Sequence, residues 1–236
     1  MSPAPDPHSA DPRARAAATK RNRTRRALLD AADATFTARG WVRTRIEDVA
    51  SNAGVSSATA YNHFPAKHAL IAEVFAPLIA PLVAACHAAA ADAARSDTPP
   101  AEVVGALVAQ IRALTRIGVR NRGITAAYWA ATQDYTVRVG ALPDPSDEQD
   151  PRVIAPVVDV LLDLVENGQR SGALRTFPPA AQLCPSLVDV LLARIALDTS
   201  PASGQLARLV ATLALGALAP ERVVEGTVDG WELTPS

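Results

Sequence analysis

The amino-acid sequence predicts an all-α protein, a small N-terminal three-helix unit followed by a larger helical body. Three observations lead there. Apolar residues recur at i, i+3, i+4 and i+7, the spacing that lines one side of a helix. No stretch alternates apolar and polar residues for long enough to argue a strand. Glycine and proline stand just past several of the apolar runs, where they stop helices.

Taken in order, residues 1–23 contain Pro3, Pro5, Pro7 and Pro12 without a periodic pattern, and are expected to form a disordered basic arm. Arg13, Arg15, Lys20, Arg21 and Arg23 in it serve solubility or follow phosphates, as flexible basic arms do. A first helix is expected over Thr24–Ala38, with Leu28, Ala32 and Phe36 at i, i+4, i+8, Gly40 past its end and Trp41 packing beneath the next unit. Thr44 with Glu47 three residues on reads as a capping box. Ile46, Val49, Ala50 and Ala53 then form one buried stripe. Gly54 supplies the positive φ that closes this helix, and Val55 plugs the angle after it. Ser56 caps the next helix, whose apolar side is Tyr61 and Phe64 and which Pro65 ends. Two short helices joined by a glycine turn describe a helix-turn-helix, whose second helix enters the DNA major groove. This domain is assigned to residues 24–70.

The body is assigned to residues 71–222, with a polar tail over 223–236. After Lys67 a fourth helix carries Leu70, Ile71, Val74 and Phe75 to about Ala94, and Pro77 and Pro81 are expected to kink or split it. Its eighteen uncharged residues, Val74 to Ala91, are alanine-rich and contain both prolines and His87, which favours a core helix over a membrane span. Ala101–Ile117 is helical with Val104, Leu107, Val108, Ile111 and Leu114 on one face. Arg120–Gly123 breaks the chain before a helix over Ile124–Val139, and Leu142–Pro151 is a proline- and acid-rich loop expected to be partly disordered. Further helices are expected over Val153–Arg170, Pro179–Asp198 and Ala202–Leu218.

Composition narrows the function. The chain has 236 residues, 49% of them hydrophobic, enough for one sizeable core or two modest ones. Its net charge of -1 hides an asymmetry. Residues 1–45 hold ten Lys/Arg against four Asp/Glu, and residues 46–236 hold thirteen against twenty. A basic head on an acidic body is expected where one end meets phosphate. Cys86 and Cys184 lie far apart without CxxC spacing, and no apolar signal segment precedes the arm, so a reduced cytoplasm is expected. The four histidines show no metal spacing, Cys86 and His87 point apart on a helix, and no G-x-S-x-G or glycine-rich phosphate loop occurs. No cofactor, metal or catalytic site is assigned, and enzyme activity is not expected.

From Gly40 to Leu70 the pattern G-W-x-x-T-x-I-x-x-V-A-x-x-A-G-V-S-x-A-T-x-Y-x-H-F-x-x-K-x-x-L resembles the N-terminal domain of the TetR family of transcriptional regulators. Arg45 stands where the family has a small hydroxyl residue, Ala60 replaces a larger aliphatic, and Ala66 replaces the usual cap of the fourth helix. The resemblance implies a helix-turn-helix DNA-binding domain and a C-terminal helical ligand-binding and dimerisation domain. It also implies a palindromic double-stranded DNA operator, a small-molecule effector and a homodimer, with no membrane partner.

On the third helix Ser57, Ala58, Thr59 and Asn62 are free to face base edges, and Ser56 begins that face. The resemblance places Tyr61, His63 and Lys67 on phosphates. Thr44 donates to phosphate at a helix start, and Arg45 is a phosphate contact or a base reader. An effector pocket is expected in the middle helices at Tyr128, Trp129, Thr132 and Gln133, with Tyr135 near and the Trp129–Gln133 face favoured. The dimer interface is expected on the last two helices through Leu187, Leu191, Leu206, Leu209, Val210 and Leu213. Two other readings stand beside a ligand-relieved repressor: a DNA-binding regulator without ligand sensing, and a helical enzyme acting on a small apolar substrate.

Overall fold

A computed structural model describes residues 12–95, 97–197 and 202–220 of the chain. The described residues contain helices and turns but no strand. The helices are α1 (Pro12–Arg43), α2 (Ile46–Asn52), α3 (Ser57–His63), α4 (Lys67–Ala93), α5 (Pro100–Arg120), α6 (Arg122–Val139), α7 (Pro151–Ile154), α8 (Leu162–Ser171), α9 (Ala180–Leu197) and α10 (Ser203–Leu218). A 3-10 turn over Val157–Val160 separates α7 from α8. Residues 1–11 and the tail 223–236 lie outside the described residues.

The helix-turn-helix unit is built around Leu28, Ala32 and Phe36 of α1, which are fully buried against Val49, Ala50 and Phe64 in one continuous core. Residues 12–23, expected as disordered arm, are instead the first turns of α1. They extend a helix already nucleated by that core, so each adds a hydrogen bond without a new nucleus, and four of them are alanines. Gly40, at φ 71 and ψ -179, bends α1 where its end was expected.

The start of α2 differs from the expectation. Thr44 is not its cap: it is 1% exposed, and its hydroxyl donates to the Gly40 carbonyl at 2.8 Å. Arg45 takes the cap position, and the Asp48 carboxylate, rather than Glu47, accepts its N–H at 3.0 Å. Gly54 has φ +68, as the turn requires, and Ser56 caps α3 by accepting the Thr59 N–H at 3.1 Å. The buried side of α3 is Ala60 with Phe64 beyond its end, while Tyr61 is 42% exposed.

α4 runs unbroken through Pro77 and Pro81 and lines the body, burying Leu70, Ile71, Phe75, Ile79 and Leu82. It crosses residue 70, and the buried cluster is continuous from α1 to α10. By length and hydropathy α4 and α9 are both long and apolar enough to cross a membrane, yet each contributes side chains to this core. α5 buries the whole expected face, Val104, Leu107, Val108, Ile111 and Leu114. The expected helix Val153–Arg170 is broken at Pro156, which lacks an N–H and holds Ala155 at φ -127, ψ 80.

The loop before α7, expected to be partly disordered, is a run of ordered turns. Asp144 accepts the Ser146 N–H at 2.9 Å, and Asp147 accepts the Gln149 N–H at 2.9 Å and the Tyr135 hydroxyl at 2.8 Å. Buried Asp150 caps α7 and pairs with Arg152 at 2.7 Å.

Two glycines mark close approaches between elements. A Cβ on Gly123 of α6 would stand 3.0 Å from the Thr37 carbonyl oxygen and 3.1 Å from its Cα on α1. One on Gly168 of α8 would stand 2.7 Å from Leu174 and 3.0 Å from Val103.

Candidate nucleic-acid interface

The outward side of α3 is short and polar. Ser57, Ala58, Tyr61 and Asn62 are exposed, while Thr59 and His63 are half-buried at its edges. Exposure at i, i+1, i+4 and i+5 is one helix face, and Ala60 and Phe64 hold the opposite face in the core. The Ser56 and Thr59 hydroxyls lie 2.8 Å apart and satisfy each other, so Ser57, Ala58 and Asn62 are the expected base-edge residues left with free side chains.

Around this face the other assigned residues separate into exposed and engaged groups. Arg45 is exposed at the start of α2. Tyr61 donates its hydroxyl to Glu47 at 2.8 Å, a bond that raises the tyrosine pKa and helps to lower that of Glu47 beneath its own backbone hydrogen bond. His63 is held below the usual histidine range, first by burial and then by the positive charges of Arg21 and Arg25. Arg25 lies over the Phe64 ring at 4.6 Å and pairs with Glu73, tying α1 to α4 behind the helix-turn-helix. Thr44, expected on phosphate, has its hydroxyl turned inward and buried, so it positions the α1–α2 bend instead. Lys67 is half-buried, its ammonium 2.6 Å from the Trp41 carbonyl and 3.8 Å from the Trp41 ring; burial lowers its pKa and Asp134 partly restores it.

Spacing could not reveal one cluster, because its members lie more than sixty residues apart. His68, in the first turn of α4, is packed between Trp41 (4.6 Å) and Tyr135 (5.3 Å). The carboxylate of Asp134 on α6 lies 2.9 Å from His68 Nε2 and 3.3 Å from the Arg138 guanidinium. This cluster links the helix-turn-helix to α6 side chain by side chain.

In the body, the expected pocket residues divide between two environments. Tyr128 is a core residue, 1% exposed, stacked on Phe75 at 4.2 Å and donating its hydroxyl to the Ala155 carbonyl at 2.6 Å. Thr132 donates back to the Trp129 carbonyl at 2.8 Å. Gln133 donates to Asp189 of α9 at 3.3 Å, and partial burial pushes that carboxyl above its ordinary range. Trp129 lies half-buried on the same α6 face, and its Nε1 is buried without a partner. His87 sits 3.0 Å from Asp163, while burial raises the Cys86 thiol and pushes that of Cys184 up to about 12.

The expected dimer stripe is largely internal. Leu187, Leu191, Leu206 and Val210 are buried within the chain, where α9 packs on α6 and α10 on α5. Leu209 and Leu213 remain exposed at 45% and 47%, joined on α9 by Val190 and Leu197.

A capped two-helix turn with an outward polar face, seated on a helical body, defines a helix-turn-helix DNA-binding protein. Residues 28–74 match the family model described as bacterial regulatory proteins, tetR family. The match covers the helix-turn-helix domain, which is similar to the N-terminal domain of that family. Solved structures share the fold across most of both chains. FadR of Thermus thermophilus, a TetR-family transcriptional repressor solved with lauroyl-CoA, is 20% identical with a TM-score of 0.56, covering 90% of this chain and 99% of that one. A TetR-family regulator of Mesorhizobium loti is 18% identical with a TM-score of 0.54 over 85% and 98%. One of Marinobacter aquaeolei is 21% identical with a TM-score of 0.53 over 86% and 99%. The search of curated proteins found no match.

Proposed function

We propose that this chain is a transcriptional repressor that binds a palindromic operator as a homodimer and is released from it by a small apolar or amphipathic ligand. The observation that carries the proposal is the α3 face, where Ser57, Ala58 and Asn62 stand outward and unpaired while Ala60 and Phe64 anchor the helix behind them. Hydroxyl, methyl and amide are the groups that distinguish base edges in a major groove. Arg45 and the exposed tyrosine flank that face for phosphate. One such unit makes few contacts, so two copies on a two-fold site are the physical expectation.

Ligand release rests on the α6–α9 side of the body. The buried Trp129 Nε1–H has no acceptor, and such an orphan costs about 1–3 kcal/mol that a bound acceptor would recover. Gln133 and Asp189 lie on the same side. Acyl-CoA thioesters are the first class to test, since the FadR neighbour is bound to one. A regulator without ligand sensing would keep its operator affinity whatever is added.

Selection of bound sequences from a random duplex pool tests the proposal. A palindromic consensus is expected, with Ser57→Ala and Asn62→Ala altering which base pairs are preferred. Binding without preference, or preference untouched in both variants, would overturn the α3 assignment.

A further inference from the structure

From Arg13 to Arg23 every residue of α1 is exposed; the helix runs on past its last buried anchor, Leu28, as a bare rod. Sixteen positions separate Leu28 from Pro12, about 24 Å of helix, or roughly seven base-pair steps. Between Pro12 and Arg26 the rod carries Arg13, Arg15, Lys20, Arg21, Arg23, Arg25 and Arg26 and no acidic residue. Where the rod meets the body, a cleft of about 430 Å³ lined by Asn22, Arg25, Arg26, Glu73 and Pro77 opens between α1 and α4. The rod is also continuous with the proposed reading face, because Arg21 and Arg25 lie close enough to His63 on α3 to act on its charge.

Resting on the operator-binding proposal, we infer that this exposed N-terminal extension of α1 is a second DNA-contact surface, which lies on phosphates of the duplex outside the base pairs met by α3. Its seven cations without an acidic residue complement a polyanion along a run of phosphates, so it is expected to add affinity rather than sequence preference. An anionic lipid surface fits less well. The positions between the cations are Ala14, Ala16, Ala17, Ala18, Thr19, Asn22 and Thr24, with no large apolar residue to enter a bilayer interface.

The test compares the full-length protein with Lys20→Gln/Arg21→Gln/Arg23→Gln, since glutamine keeps the helix while removing the charge. A control removes three exposed arginines elsewhere, Arg116, Arg120 and Arg208. Affinity is measured against salt on the selected operator, trimmed to its consensus or flanked by ten further base pairs on each side. The wild type is expected to gain at least tenfold from the flanks. The triple variant should lose that gain, keep its ranking of operator variants, and show a salt slope lower by about 0.9 for each contact removed. The control should behave as wild type. Equal slopes in the two proteins, an equal effect in the control, a changed operator ranking, or a defect only on anionic vesicles would overturn the inference. The comparison is repeated on arbitrary duplex DNA. A slope difference there with no operator preference anywhere would sustain the extension while defeating the repressor proposal; equal slopes would defeat the extension alone.

Discussion

The hydroxyl of Thr44 illustrates how one buried atom changes a residue's role. Inward-facing and bonded to the Gly40 carbonyl, it stabilises the bend that sets α2 against α1. Thr44→Val is therefore expected to lower stability by about 1 kcal/mol in urea unfolding, while leaving DNA affinity of the folded fraction unchanged. His68 carries a second prediction. Burial is the largest influence on its imidazole and lowers its pKa, Arg138 and Lys67 act in the same direction, and Asp134 opposes them. The folded state then binds protons less readily than the unfolded chain. The contribution of His68 is present above the ordinary histidine pKa and is lost as pH falls below it. His63 is shifted the same way. Between pH 7.5 and 5.5 the unfolding midpoint of the wild type should fall, and that of His68→Gln should fall less; parallel curves would remove His68 as the cause.

Among the helices, legibility followed one-sidedness. The α5 stripe was plain because one face is apolar and the other charged, and all five of its expected core residues are buried. The turn at Gly54 was equally plain, since few residues other than glycine accept its φ of +68. α9 and α10 were harder, being apolar over most of their circumference. Periodicity could not say which leucines face inward, and the packing chose Leu187, Leu191, Leu206 and Val210 for the core. The residues of α1 before Thr24 have no apolar period at all; they are helical because they continue a nucleated helix, which a search for stripes does not detect. Pro156 marks the break in the expected Val153–Arg170 helix, but the apolar run continues across it, so periodicity alone does not show it. At α8, a Cβ on Gly168 would press on the Leu174 and Val103 side chains, which would have to shift to admit it. Gly168→Ala is expected to destabilise by about 1–3 kcal/mol by thermal or urea unfolding, through overpacking rather than backbone strain.

For the molecule as a whole, the proposed homodimer on a palindromic operator would have to hold two recognition helices about one DNA turn apart, roughly 34 Å. Val190 of α9 and Leu209 and Leu213 of α10 are among the apolar side chains left exposed once the core of one chain is complete. Leu209→Glu with Leu213→Glu should give a monomer by light scattering at micromolar concentration and weaken operator binding at least a hundredfold. A dimer persisting in that variant would place the interface elsewhere. A ligand that shifts DNA-bound and released states from 1:99 to 99:1 must prefer the released state by about 5.5 kcal/mol. The α3 face was legible because its chemistry lies in seven consecutive residues. The His68–Asp134–Arg138 cluster and the lone Trp129 nitrogen were not, since each is assembled by folding.

At Gly123 the backbone of α6 comes so near α1 that a Cβ there would stand 2.8 Å from the Thr37 methyl and 3.0 Å from the Thr37 carbonyl oxygen. Side chains in a helix crossing act as springs that can rotate and absorb small shifts; here the short Thr37 side chain has little length to give. A sideways step of α6 at this crossing therefore meets α1 within a short distance. Gly123→Ala would insert a spacer and shift the resting alignment of the two helices in the absence of any ligand.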